Sequence, residues 1–260
     1  MEILKAIYIF FIGACLGSFM NVLTYRLPRG LNIALPASSC TKCGQKIKIY
    51  DNIPILSWFI LGGRCRNCKT PISLMYPLTE LATALLFLAC YLKFGLTLEA
   101  LHACAVVFFM LAAAFADVFT AIDENFECGI IPDSLNMAGF IVGFLLSWAL
   151  HGTFTFPLYG ALTGFLGLFI PSYLFKVIRK KEGMGGGDIK LMAVVGAMLG
   201  IKSIFFVIFA SAFLGAVFGI TLQLVSRQKN IILPFGPFIA AASIIYLFYA
   251  PVFDMLLYSR

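Results

Sequence analysis

Eight stretches of the chain, at residues 3–25, 77–92, 98–120, 130–150, 154–175, 189–199, 201–225 and 231–258, are strongly apolar and carry at most two acidic or basic side chains each. A bilayer core about 30 Å thick takes roughly 20 apolar residues per helix, so the long stretches read as membrane spans. The 189–199 stretch is short, and by sequence it is tilted, broken or continuous with the next. Glycine and proline inside the stretches are compatible with helices in lipid, where neighbouring helices absorb kinks. With 61% of the 260 residues apolar and 12% charged, most of the outer surface has to meet lipid. A soluble globule, a disordered chain, a collagen-like chain and a disulfide scaffold are excluded on the same ground. The predicted fold is an all-α polytopic membrane protein of about eight transmembrane helices. Its expected divisions are a first transmembrane helix at 1–26, a loop at 27–76 and a membrane-embedded domain at 77–260.

Basic residues gather on the cytoplasmic side of membrane proteins. Arg26, Arg29, Lys42, Lys46, Lys48, Arg64, Arg66 and Lys69 lie between the first and second spans. Lys176, Arg179, Lys180, Lys181 and Lys190 surround the connection from the fifth span to the sixth, and Arg227 and Lys229 precede the last. Eight spans put all three clusters on one side and leave Lys5, Lys93, Lys202 and Arg260 on the other. The N-terminus is therefore expected outside and the 27–76 loop in the cytoplasm. The first span does not read as a cleavable signal, because its basic residues follow the apolar run. The net charge of +7 reads as topology plus attraction to anionic lipid heads, and no nucleic-acid partner is expected.

The loop carries Cys40-Thr-Lys-Cys43 and Cys65-Arg-Asn-Cys68, two C-x2-C pairs followed by turn-forming residues. This spacing suits a site in which two knuckles present four thiolates to one tetrahedral zinc ion. A reducing compartment disfavours disulfides and leaves the thiolates for metal. Four sulfurs leave no open position for water, so the Zn2+ is expected to be structural. The loop has too few apolar residues for its own core, and a metal clip gives it a way to fold. Leu56, Trp58, Phe59 and Ile60 are expected to press onto the membrane or onto the helices. Cys15, Cys90 and Cys104, inside spans, read as small buried packing residues.

Ionisable groups within a span are costly and usually functional. Glu80, Asp117 and Asp188 qualify. Asp117 and Asp188 fall at cytoplasmic ends of their helices and can meet at one depth. Asp188 ends the run Gly183-Met184-Gly185-Gly186-Gly187-Asp188, with Lys190 two residues on. Consecutive glycines let the backbone take unusual angles or approach a partner closely. Two carboxylates held close in a low dielectric share a proton, and such a pair can activate water while protonating a leaving group. From these residues alone, an aspartic protease and a transporter using paired acids as a proton or cation relay both stand.

Gly185-x-Gly187-Asp188, the tetracysteine loop, Gly17-Ser18-Phe19-Met20-Asn21-Val22 with Tyr25-Arg26-Leu27-Pro28, Tyr76-Pro77-Leu78-Thr79-Glu80, Ile131-Pro132-Asp133 and Pro234-Phe235-Gly236-Pro237-Phe238 together resemble the bacterial type IV prepilin peptidases, a family of GxGD membrane aspartic proteases. The resemblance runs in order from Gly13 to Phe238. It implies an inner-membrane aspartic endopeptidase that removes the basic leader from prepilins and pseudopilins after a glycine. It also implies N-methylation of the new amino terminus from S-adenosylmethionine, which accompanies the tetracysteine loop in the family.

The resemblance makes Asp188 one catalytic acid. Asp117 is taken as the other, because its distance from Glu80 through Phe94-Gly95 looks like the family's, and Asp123 is the rival. Gly185, Gly187 and Lys190 are expected to support the pair, and Cys40, Cys43, Cys65 and Cys68 to hold the metal. The stretch Asp123-Glu124-Asn125-Phe126-Glu127 reads as an insertion. No Gly-rich dinucleotide-binding fingerprint marks a site for the methyl donor. The loop and Asn21 are candidates by resemblance, and Asn21 reads equally as a polar side chain bonded to a neighbouring helix.

Overall fold

The structure, a computed structural model, describes residues 1–181, 183–226 and 233–258. Arg227, Lys229 and Arg260, used above for the charge asymmetry, lie outside the described residues, as does the start of the 231–258 stretch. The described residues form nine α-helices and no named strand. Seven of these helices are long and apolar enough to cross a membrane, and the chain is a multi-pass membrane protein. It divides into two compact units, Met1–Ala100 and Leu101–Arg260.

In the first unit α1 (Glu2–Arg26) packs antiparallel on α3 (Met75–Phe94), and the loop between them carries one short helix, α2 (Leu56–Ile60). The helix that opens the 77–260 division of the sequence thus sits with α1. In lipid there is little hydrophobic drive for helices to associate, so close backbone approach supplies the attraction. Gly13 and Gly17, one turn apart on α1, provide it. A Cβ at Gly13 would lie 2.8 Å from the Ala84 Cα, and one at Gly17 would lie 2.7 Å from the Glu80 Cα. Asn21 extends this seam by donating from Nδ2 to the Tyr76 carbonyl at 3.2 Å, the helix-bonding reading of that residue. Cys90 is buried, Cys104 is half-buried, and Cys15 is exposed. The expectation of a buried Cys15 is corrected, because the α3-facing side of α1 belongs to the glycines.

The second unit holds α4 (Leu98–Ile122), α5 (Asp133–His151), α6 (Thr155–Arg179), α7 (Gly186–Leu199), α8 (Ile201–Ser226) and α9 (Gly236–Tyr258), with the first residues of α4 lying at the boundary. The short α7 is central. Its 14 residues span about 21 Å, and Leu191, Met192 and Val194 through Met198 are all buried. A helix apolar all round has to be enclosed by others. Gly160 and Gly164 of α6 lie against Gly196 and the Met192 carbonyl of α7 at backbone contact. Gly139 and Gly143 of α5 accept Val194 and Met198 in the same way.

These contacts fix directions. Rising numbers on α6 meet falling numbers on α7, yet Gly164 and Gly167 meet Ile204 and Ile208 of α8 in rising order. The chain therefore turns back at Gly200, whose φ of +77° belongs to the left-handed region that glycine tolerates. The 189–199 stretch is a separate short pass and not a continuation of the next helix. At the Met198 end, Ser147 donates to the Met198 carbonyl at 2.9 Å and lies 3.1 Å from the His102 Nε2. A Gly160→Val substitution should force α6 from α7 and cost about 1–3 kcal/mol. Thermal unfolding in detergent checks this, with Leu162→Val on the exposed face as the unaffected control.

Candidate active site and metal centre

The C-terminal end of α4 meets the N-terminal ends of α5, α7 and α9. Asp117, on the last turns of α4, is 4% exposed. Its Oδ2 accepts the Gly236 backbone N–H, the first of α9, at 2.8 Å. Helix N-termini carry unsatisfied N–H groups and partial positive charge, so an acid there is well placed. Gly129 closes the other side, and a Cβ on it would collide with the Asp117 Oδ1. Thr120, one turn on, fastens this strap. It accepts the Ile130 N–H at 2.7 Å while donating to the Ala116 carbonyl at 2.7 Å.

Asp188 lies in the first turn of α7, and Ile131 joins its surroundings to those of Asp117: it would meet a Cβ at Gly187 at 3.2 Å and one at Gly236, the residue bonded to Asp117, at 3.1 Å. Its Oδ1 is buried with no hydrogen-bond partner among the described residues. Asn136, 5% exposed on α5, donates from Nδ2 to the Gly187 carbonyl at 3.3 Å and so ties the residue before Asp188 to the first turn of α5. Gly185 precedes α7 with φ −65° and ψ 140°, ordinary extended backbone. The glycine run is used for space and not for unusual angles. A Cβ at Gly185 would sit 3.3 Å from the Asp188 Oδ2, and one at Gly187 would press on Ile131 at 3.2 Å.

The other candidates fall apart from this pair. Lys190 Nζ forms an exposed ion pair with Asp133 at 2.7 Å. Asp123 lies in the connection after α4, where its Oδ1 accepts the Asn125 backbone N–H at 3.0 Å and the Asn125 side-chain amide at 2.6 Å. Thr120 is visible in the sequence one turn after Asp117, whereas Gly129 carries no such signal and Gly236 enters only through its motif. A backbone N–H donor leaves no side-chain signature in sequence.

In the first unit, Cys40, Cys43, Cys65 and Cys68 place their sulfurs within 4.8 Å of one another. The Cys40 and Cys68 sulfurs are 3.7 Å apart, against about 3.8 Å for two thiolates on a tetrahedral ion with 2.3 Å bonds. The four thiols could hold a metal ion. Both knuckles use one backbone plan. Cys40 N–H bonds Gln45 O at 2.9 Å and Gly44 N–H bonds Cys40 O at 2.9 Å; Cys65 and Thr70, then Lys69 and Cys65, repeat this at 2.8 and 3.0 Å. The turn position has positive φ in each, +69° at Gly44 and +58° at Lys69. Hydrogen bonding with the Thr70 hydroxyl and backbone pulls the Cys68 thiol down to about 6, in the direction that favours a metal ligand. Arg66 grips Asp51 with two bonds of 2.8 and 2.6 Å and holds its carboxyl below the usual range.

Residues 11–94 match the family model of the bacterial peptidase A24 N-terminal domain, and residues 104–220 match that of the type IV leader peptidase family. The chain belongs to the type IV leader peptidase family. Curated relatives are each named prepilin leader peptidase/N-methyltransferase. That of Myxococcus xanthus is 38% identical over 228 residues, covering 87% of this chain and 66% of the relative. That of Burkholderia pseudomallei strain 1026b is 33% identical over 273 residues, covering 95% and 86%. That of Pseudomonas aeruginosa is 34% identical over 256 residues, covering 89% and 86%. No solved structure matches the chain significantly. The two family matches fall one in each compact unit, so membership embraces both the sulfur cluster and the paired acids.

Protein purified without chelator should carry one metal ion per chain. Cys40→Ser and Cys68→Ser should each lower that content at least about ten-fold, as read by elemental analysis alongside helix content.

Proposed function

We propose that the chain is an aspartic endopeptidase that removes the leader from type IV prepilins and pseudopilins and N-methylates the new amino terminus. The observation that carries the peptidase reading is the convergence of Asp117 and Asp188, from two helix ends, in a buried setting. Family membership and the relatives' names supply the substrate class. The hydrolytic work belongs to the 77–260 division, and within it to the unit beginning at Leu101.

In the proposed reaction one carboxylate is ionised and takes a proton from water as its oxygen attacks the scissile carbonyl. The other donates its proton to the carbonyl oxygen. Collapse of the tetrahedral intermediate breaks the C–N bond, and the departing amine recovers a proton from the acid that received it. The Gly236 N–H and the Gly129 wall hold the Asp117 carboxylate in place, and Asn136 holds the Asp188 turn. The Asp188 Oδ1, enclosed and without a hydrogen-bond partner among the described residues, is left for the shared proton. Gly185 and Gly187 leave room for an extended backbone beside the acids, as their missing side chains would crowd the Asp188 carboxylate and Ile131. Lys190 acts at one remove, by pairing Asp133 across the α5–α7 entrance.

We read the metal as Zn2+, which the all-sulfur donor set and the 3.7 Å spacing favour. It would fold the loop and perform no chemistry. S-adenosylmethionine is the methyl donor implied by the relatives' names, and it supplies an electrophilic methyl group when bound. Asn21 fits a contact to it, because its Oδ1 is buried and has no partner among the described residues. The charge asymmetry supports the inner membrane, with the loop and the acids on the cytoplasmic side.

Asp117→Asn and Asp188→Asn should each lower prepilin cleavage at least about a thousand-fold while leaving helix content and metal unchanged, whereas Asp123→Asn should retain it. Mass spectrometry of the products scores cleavage and methylation together. Normal cleavage by Asp117→Asn, or ion flux without cleavage in reconstituted vesicles, would contradict this assignment.

A further inference from the structure

The short helix α2 has two unlike faces. Ser57 is buried and donates to the Tyr50 carbonyl at 3.3 Å. Trp58 turns inward, its indole donating to the Ile72 carbonyl at 3.1 Å and its ring lying against Gly63. Leu56, Phe59 and Ile60, at i, i+3 and i+4, form the opposite face and are 59%, 65% and 71% exposed. An apolar face this open needs a cover.

The height of that face is fixed. Ile55, the residue before α2, donates its backbone N–H to the Glu80 Oε2 at 2.6 Å. Glu80 is 8% exposed and lies five residues into α3, about 7.5 Å along that helix from its first residue. Ile55 takes φ +65°, a conformation costly for a β-branched residue, which persists because the surroundings over-determine it. The loop therefore bends back beside the first turns of a membrane span. At the same level Leu74, Leu78 and Leu81 of α3 and its approach are exposed, as lipid-facing residues are.

Charge points the same way. The 27–76 loop has seven lysines and arginines and one acid, Asp51, which Arg66 already grips. A basic loop that carries an exposed apolar face suits the headgroup region of a membrane with negative lipids.

We propose that α2 lies in the membrane plane as an interfacial anchor, with Leu56, Phe59 and Ile60 entering the upper acyl region and the loop's basic residues holding anionic headgroups. The anchor steadies the sulfur cluster against the bilayer. It rests on α1 and α3 being membrane spans and stands apart from the peptidase assignment, since it is read without a substrate.

The test uses full-length protein carrying Trp148→Phe and Phe59→Trp, reconstituted in phosphatidylcholine vesicles with or without phosphatidylglycerol, with nitroxide-labelled lipids as quenchers. Trp148→Phe alone gives the Trp58 background. The added tryptophan should be quenched at least about two-fold more by labels near the glycerol level than by labels at the chain ends, and more strongly when phosphatidylglycerol is present. Quenching by an aqueous agent with none by lipid labels would overturn the anchor, as would shielding that scales with protein density, the mark of a second copy. Equal quenching in both lipid mixtures would overturn the headgroup part. A second measurement covers a misfolded reporter. Tryptic cleavage of the loop in the otherwise natural chain should slow about ten-fold in phosphatidylglycerol vesicles relative to phosphatidylcholine, and Phe59→Ser with Ile60→Ser should abolish that difference. Equal rates in the unaltered loop would sink the proposal, whatever the cleavage activity toward prepilin.

Discussion

Backbone contact between α6 and α7 is the constraint on which the second unit depends. In lipid an apolar surface gains little by meeting another apolar surface, and attraction comes from close packing and hydrogen bonds. Gly160 and Gly164 on one helix, with Gly196 on the other, remove the side chains that would keep the axes apart. Because α7 is enclosed on all sides, the position of Asp188 in its first turn is set by this packing.

Asp117, buried, and Asp188, half-buried with its Oδ1 enclosed, illustrate how a costly charge is managed at a helix end. Asp117 takes the first N–H of α9, and Asp188 sits in the first turn of its own helix. Both positions expose the carboxylate to the positive end of a backbone dipole, and among the described residues neither forms an ion pair with a Lys or Arg. The cation nearest in sequence, Lys190, is spent on Asp133. In the proposed peptidase that leaves the two carboxylates to share a proton with each other, as the hydrolytic reading requires.

Much of this was legible in the chain. Apolar run lengths announced the spans, cysteine spacing announced the cluster, and two acids at the ends of apolar stretches stood out because such groups are rare in lipid. Other features were hidden for physical reasons. Gly13 and Gly17, or Gly160 and Gly164, recur at helical spacing, yet which face of a span they occupy depends on its neighbours. The turn at Gly200 joins two helices whose apolar runs are nearly continuous in sequence. The Gly236 N–H and the wall at Gly129 are backbone features, and nothing in residue type reveals them. The three glycines before Asp188 were visible, but their use for clearance and not for rare dihedral angles required coordinates.

The two sulfur knuckles close on their own backbones by the same pair of hydrogen bonds and the same isolated bridge, Ser39 with Lys46 and Arg64 with Pro71. Each hook closes on itself, while the chain between them is tied to the second hook by Asp51 with Arg66 and by the Trp58 indole with the Ile72 carbonyl. The hooks can therefore keep their own turns while their mutual spacing is set by the segment that joins them, so a change of length there has to preserve the Asp51 and Trp58 ties for the four sulfurs to stay face to face.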